Sequence, residues 1–107
     1  MAFYLVQVAY TAAAAKALVT HPQSRDDVIR KACKSLGGKL HSFFFSFGDY
    51  DVALIAELPD NASAAALVLD AAAGGAISKS HTTVLMTPAE AVEGMKKAQT
   101  VSYTAPK

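Results

Sequence analysis

The 107-residue chain has a single cysteine, Cys33, and no excess of either charge: ten Lys and Arg stand against nine Asp and Glu, for a net charge of +1. A lone thiol excludes an internal disulfide and a thiolate cluster for zinc. Without a basic patch, nucleic acid has no electrostatic foothold. No apolar run approaches the length of a membrane span. The opening MAFYLVQVAY has neither a basic n-region nor an A-x-A cleavage site, so it reads as a strand rather than a leader, and a cytoplasmic location is expected. There is no H-x-H and no H-E-x-x-H, and no metal site is expected. A nucleophile elbow, a phosphate-cradling glycine loop and a dinucleotide fingerprint are also missing, and no cofactor is expected. The glycine pairs Gly37-Gly38 and Gly74-Gly75 each follow a helical pattern, which makes them helix stops rather than phosphate cradles.

Hydrophobic residues make up 52% of the sequence, and much of that is alanine. Residues 2–10, AFYLVQVAY, are apolar on both faces apart from Gln7, which predicts a central strand covered on two sides. Thr11 is placed to cap a helix over AAAAKALV, and His21-Pro22 ends it. Ser24-Arg25-Asp26-Asp27 reads as a capping box for a second helix. Along that helix Val28, Ile29, Ala32, Cys33 and Leu36 form one apolar stripe, with Cys33 a buried and inert thiol. Arg25, Arg30, Lys31 and Lys34 lie off the stripe, as a solvated face.

Residues 39–47 and 50–58 flank Gly48-Asp49, the signature of a type II′ hairpin turn. Pro59-Asp60-Asn61 ends the second of these strands and caps ASAAALVLDAAA, a helix with almost no polar face beyond Asp70. Such a helix is expected to be buried on more than one side. Residues 76–86 read as a last strand, with Lys79 and His81 on one face. Thr87-Pro88-Ala89-Glu90 is a strong start for a final helix to about Ala98. Residues 99–107 form an extended or disordered tail after a single domain over 1–98.

This order, with the N-terminal helix split and an extra C-terminal helix, is the α+β ferredoxin-like β-α-β-β-α-β arrangement: an antiparallel sheet with helices on one face. The other face is left open. The first and third strands are apolar on both sides, so that face calls for a partner, and a homodimer or higher homo-oligomer through the open sheet face is expected.

Several segments together resemble one family. They are YLVQVAYT, GGKLHSFFFSFGDYD, FSFGDYDVALIAELPDNASAAALVL and AGGAISKSHTTVLMTPAEAVEGMKKA, which span Phe3 to Ala98. The chain is identified by them as similar to the GYD domain family, with Gly48, Asp49, Tyr50 and Asp51 followed by the Pro-Asp-Asn helix start. The resemblance implies a ferredoxin-like fold within the dimeric α/β-barrel group. It implies no established function and carries over no catalytic residue.

The residues that could carry chemistry are few. His41 and His81 fall on opposite edge strands, too far apart to share a metal, and each is a candidate acid, base or ligand contact. Tyr50 offers a phenol at the end of an aromatic ladder. Asp49 suits its turn, and Asp51 can accept from a nearby backbone N–H or pair with a basic residue. Strict alternation puts Lys39, His41, Phe43, Phe45 and Phe47 on one face, and Leu40, Ser42, Phe44 and Ser46 on the other. A two-residue turn would pair Phe45 with Val52 and Phe47 with Tyr50, whereas a longer turn would change the partners. A ligand site drawing on Gln7, Phe43, Phe45, Tyr50 and Asp51 is expected between the open sheet face and its covering elements.

Three functions fit these residues. The first is a non-enzymatic oligomeric module for a small apolar ligand or a protein partner. The second is a dimeric-barrel-type enzyme, an isomerase or cofactor-independent oxygenase, with Tyr50, His41 or His81 as acid or base. The third is a purely structural assembly unit. An apolar pocket favours the first, a pocket lined by His, Tyr and Asp the second, and no pocket the third.

Overall fold

A computed structural model describes the whole chain, Met1–Lys107. The elements run β1 (Ala2–Tyr10), α1 (Ala12–Thr20), α2 (Asp26–Ser35), β2 (Lys39–Phe45), β3 (Val52–Leu58), α3 (Asn61–Ala73), β4 (Ile77–Leu85) and α4 (Pro88–Ala98). All strand pairs are antiparallel, and the sheet order is β2-β3-β1-β4. The strands therefore form an α+β sheet with the apolar β1 and β3 at its centre. No helix is long and apolar enough to cross a membrane.

The local signals explain most boundaries. The Thr11 hydroxyl accepts from the Ala14 amide, and the Asp60 carboxylate accepts from the Ser63 amide. At α4 the Thr87 and Glu90 side chains each accept from the other's backbone N–H, with Pro88 at the first helical position. Gly37 and Gly75 stop their helices at φ +83° and +80°. The capping box expected at Ser24–Asp27 is not formed. Arg25 occupies the N-cap in helical geometry with no side-chain cap, and the Ser24 hydroxyl donates instead to the Asp26 carboxylate. Ser24 is thus one residue too early to reach the free amides of the first turn.

Tyr4, Val6 and Val8 from β1 and Val52, Leu54, Ala56 and Leu58 from β3 build the core with Leu40, Cys33, Ala64 and Leu67. These even-numbered strand residues face α2 and α3. The odd-numbered residues Phe3, Leu5 and Gln7 of β1 and Ala53, Ile55 and Glu57 of β3 are only half-buried, on the open face. The expectation that α3 is buried on several sides is not met within one chain. Only Ala64 and Leu67 are buried, and Leu69 is exposed. The α4 helix buries no residue. The radius of gyration is 17.2 Å, against about 13 Å for a compact chain of this length.

The β2–β3 hairpin departs from the expected geometry in two ways. First, His41 has no partner in the ladder: Leu40 pairs with Ala56 and Ser42 with Ile55. This bulge breaks strict alternation. Lys39, paired with Glu57, and His41 belong to the open face, whereas Phe43 and Phe45 pair with Leu54 and Val52 and turn to the helix-covered face. The single aromatic wall carrying Lys39 and His41 with the phenylalanines does not exist. Second, Phe45 does pair with Val52, but the strands stop there, and Ser46–Asp51 forms a six-residue loop. Gly48 does not take the positive φ that a type II′ turn requires. Instead, the loop is closed by its own groups: the Ser46 hydroxyl donates to the Tyr50 carbonyl at 2.7 Å, and the Ser46 amide donates to the Asp51 carbonyl at 2.8 Å.

Candidate functional site

Two regions on opposite sides of the sheet concentrate the candidate residues. On the helix-covered side, α2 and α3 stand apart above β1 and β3 and leave a cleft of about 320 Å³. Fourteen of the seventeen residues lining it are hydrophobic. Val6, Val8, Val52 and Leu54 make its floor, with Phe43 beside them, and its walls come from the facing sides of the two helices. Only Tyr10, Arg25 and Asp70 bring polar side-chain atoms to it. Burial pushes the Tyr10 phenol above its ordinary pKa, with the Arg25 guanidinium pulling weakly the other way. The phenol therefore stays protonated and can donate a hydrogen bond. The chemistry available in this cleft is apolar enclosure with a phenol, a guanidinium and a carboxylate at its edge. No nucleophile–base pair is present there.

On the open side, the cluster is polar. Register places Gln7 opposite His81 and Ala9 opposite Lys79 across β1 and β4. The loop brings the Tyr50 ring to the same place, with its centroid 6.5 Å from that of His81 and 4.9 Å from the Lys79 ammonium. At the other end of this face, His41 Nε2 lies 2.9 Å from a Glu57 carboxylate oxygen, and the imidazole packs in a tilted arrangement against Phe3, with ring centroids 5.3 Å apart. His41 and His81 are thus on opposite edge strands, and no cluster of three metal-binding side chains exists.

The residues proposed from sequence for one ligand site are divided by the sheet. Gln7 and Tyr50 share the open face with His81. Phe43 lines the helix-side cleft, and Phe45 lies on that same side, half-exposed at its edge. Asp51 serves the backbone: its carboxylate accepts from the Tyr10 amide at 2.8 Å. Sequence reasoning missed Arg25 and Tyr10 as cleft residues, and it missed Lys79 as a neighbour of Tyr50. Asp70, the lone charge in an apolar helix, was the one available signal for the cleft. Arg25 gave none, because its helix periodicity assigns it to the solvent.

The sequence matches the model of the GYD domain over residues 4–95. The chain belongs to the GYD domain family. No curated protein matches it significantly. Among solved structures, the GYD domain is similar to MtbAldR, at 13% identity and a TM-score of 0.58 over 80% of this chain and 53% of that one. The chain thus spans about half the length of that protein. A Thermus thermophilus protein aligns at 14% identity and a TM-score of 0.52, over 81% of this chain and 95% of its own. The Neisseria meningitidis transcriptional regulator solved as an L-Met complex aligns at 12% identity and a TM-score of 0.50, over 81% of this chain and 51% of that one. At these identities the likeness is one of fold, and it is ferredoxin-like.

Proposed function

We propose that this GYD domain is a non-enzymatic, homo-oligomeric module that binds a small, largely apolar ligand. The observation that carries this reading is the cleft of about 320 Å³ between α2 and α3, whose lining is almost wholly hydrophobic. Ligand sites are typically apolar concavities with a few polar groups that fix orientation, and Tyr10, Arg25 and Asp70 are suited to that role. A fold neighbour solved with L-Met lends the reading a precedent by analogy of fold alone.

The homo-oligomeric part rests on exposed apolar surface. Phe44 is 67% exposed, and Phe47 is fully exposed at the hairpin loop. Phe3, Leu5 and Ile55 lie half-buried on the same sheet face as Phe44. Exposed apolar surface of this kind is covered in most soluble proteins, and a two-fold pairing of sheets through the open face covers it in both copies at once.

The test is native mass spectrometry of protein purified from its own host, compared with the denatured spectrum. The expected result is an assembly of at least two chains with a small molecule that is lost on denaturation. A complementary titration uses the neutral fluorophore N-phenyl-1-naphthylamine with the wild type and Ala71→Trp, which fills the cleft. Binding weakened by about tenfold, or 1.4 kcal/mol, supports the cleft. Equal binding by both proteins rejects it.

A second reading is favoured by the proximity of Tyr50 and His81: a small dimeric-barrel-type enzyme with these two as acid and base. His41 does not join them, because its imidazole is held by Glu57 at the far end of the face.

A further inference from the structure

The open-face cluster has a chemical character that neither the apolar cleft nor the fold requires. Gln7, Tyr50, Lys79 and His81 meet at the end of the sheet where β1 leads into Thr11 and β4 begins. All four side chains carry N–H or O–H donors, and none is a carboxylate. No intramolecular ion pair engages Lys79: the three in the chain are Arg30–Asp26, His41–Glu57 and Lys97–Glu93. Two acids flank Tyr50 in sequence: Asp51 is committed to the Tyr10 amide, and Asp49 is exposed in the loop and forms no ion pair with Lys79. The ammonium instead lies over the Tyr50 ring, a weak contact for an exposed lysine. The result is a convergence of donors with one permanent positive charge that no carboxylate of the chain pairs with.

We infer that Lys79, His81, Tyr50 and Gln7 form a recognition site for a small carboxylate with an apolar body. The charge count selects a monoanion, since a single fixed cation matches a carboxylate better than a phosphate dianion. A carboxylate's two oxygens offer about four lone-pair sites, enough to take donors from several of these side chains. The surface next to the cluster supplies the apolar half of the match. Ala53 pairs with Gln7, and Leu5 pairs with Ile55, all on this same face. A ligand anchored by its carboxylate at Lys79 lays its body over Leu5, Ala53 and Ile55. This site lies on the opposite side of the sheet from the α2–α3 cleft and does not depend on ligand binding there; its apolar half shares Leu5 and Ile55 with the proposed subunit contact, so a ligand bound there competes with a second copy of the chain for that surface.

The experiment is a ¹H–¹⁵N NMR titration of the full chain with sodium benzoate, and in parallel with benzamide and with inorganic phosphate. The expected result is saturable shifts with benzoate at Gln7, Tyr50, Lys79 and His81, and none of comparable size with benzamide. Lys79→Met keeps most of the stem and removes the charge, and Lys79 is exposed, so the variant folds as the wild type does. It weakens benzoate by about tenfold. Tyr50→Phe weakens it less. Equal response to benzamide, unchanged affinity in Lys79→Met, or phosphate displacing benzoate at equal concentration overturns the carboxylate assignment. Shifts confined to Val28, Val68 and Ala71 place binding in the cleft; they too overturn this inference, while leaving the apolar-ligand reading intact.

Discussion

The backbone N–H of Tyr10 donates to the Asp51 carboxylate at 2.8 Å, joining positions 41 residues apart. One step earlier, the Asp51 amide donates to the Val8 carbonyl at 2.8 Å. Asp51 therefore continues the β1–β3 ladder beyond Val8 and Val52, with its side chain serving where a strand carbonyl would. Removing the acceptor leaves a partly buried amide without a partner. Asp51→Ala is expected to lower stability by about 1–3 kcal/mol. Asp51→Asn, which keeps a carbonyl oxygen at that position, costs less. Denaturant unfolding of both variants checks this, and equal losses would show that the charge rather than the acceptor matters.

Two glycines provide opposite expectations. A Cβ on Gly38 would lie 2.2 Å from the Glu57 carbonyl oxygen and 2.6 Å from Leu58 Cδ2. That backbone cannot yield without moving β3, so Gly38→Ala is expected to destabilise by about 3 kcal/mol or more. A Cβ on Gly48 meets nothing within 4 Å, and the backbone there is not left-handed. Gly48→Ala is expected to be neutral or to stabilise by up to about 1 kcal/mol. Thermal unfolding of the pair decides whether the Gly48 loop has the geometry described; a large loss in Gly48→Ala would restore the tight turn.

Asp60 contributes to the acid limb of stability. The Ser63 hydroxyl, and then the Ser63 amide, hold this N-cap carboxyl below its ordinary value of 3.8. A carboxyl depressed in the folded state contributes stability that is complete above the unfolded value and is lost as pH falls through the folded one. The Tm difference between wild type and Asp60→Ala is therefore expected to be largest at neutral pH and to shrink as pH falls below the ordinary value of 3.8. A pH-independent difference would remove the carboxylate's charge from the explanation.

Cys33 is fully buried, and burial raises its thiol above the ordinary pKa. Both effects suppress the thiolate. It is expected to stay unreactive toward a thiol reagent such as dithiobis-nitrobenzoate in the native protein and to react at once in denaturant. Fast native labelling would show that α2 lifts readily from the sheet.

Self-association through the open face is checked by light scattering. Phe44→Lys places a charge on an exposed side chain of that face, where the folded monomer has no use for the ring. The expected outcome is an assembly of at least two wild-type chains and a shift toward monomer in the variant, with little change in the melting of the monomer itself. A wild type that is monomeric at micromolar concentration removes the interface altogether.

The parts legible in the sequence are those governed by short-range chemistry. Thr11, Asp60 and Thr87 sit one residue before apolar helical patterns, and each caps its helix in the structure. The two-sided apolarity of β1 and β3 placed them at the sheet centre. The hairpin was less legible because its decisive event is a single unpaired residue. Nothing in KLHSFFF marks His41 as the bulge, yet the bulge decides which way every phenylalanine after it points. The cleft was illegible for a different reason. It exists because α2 and α3 stand apart, and the stripe Val28, Ile29, Ala32, Cys33 and Leu36 reads the same whether it touches a neighbouring helix or lines a gap. The Tyr50–Lys79 contact spans a loop and an edge strand, and no local pattern connects them.

The bulge at His41 also bears on how such a sheet can change. With His41 deleted, Leu40, Ser42 and Phe43 alternate regularly, and every other residue of β2 keeps the face it has now. A one-residue insertion has thus added an imidazole to the outer surface without displacing any side chain from the interior. Along this edge, relatives can gain or lose a titratable group by length variation alone, and a comparison that scores only substitutions would miss it.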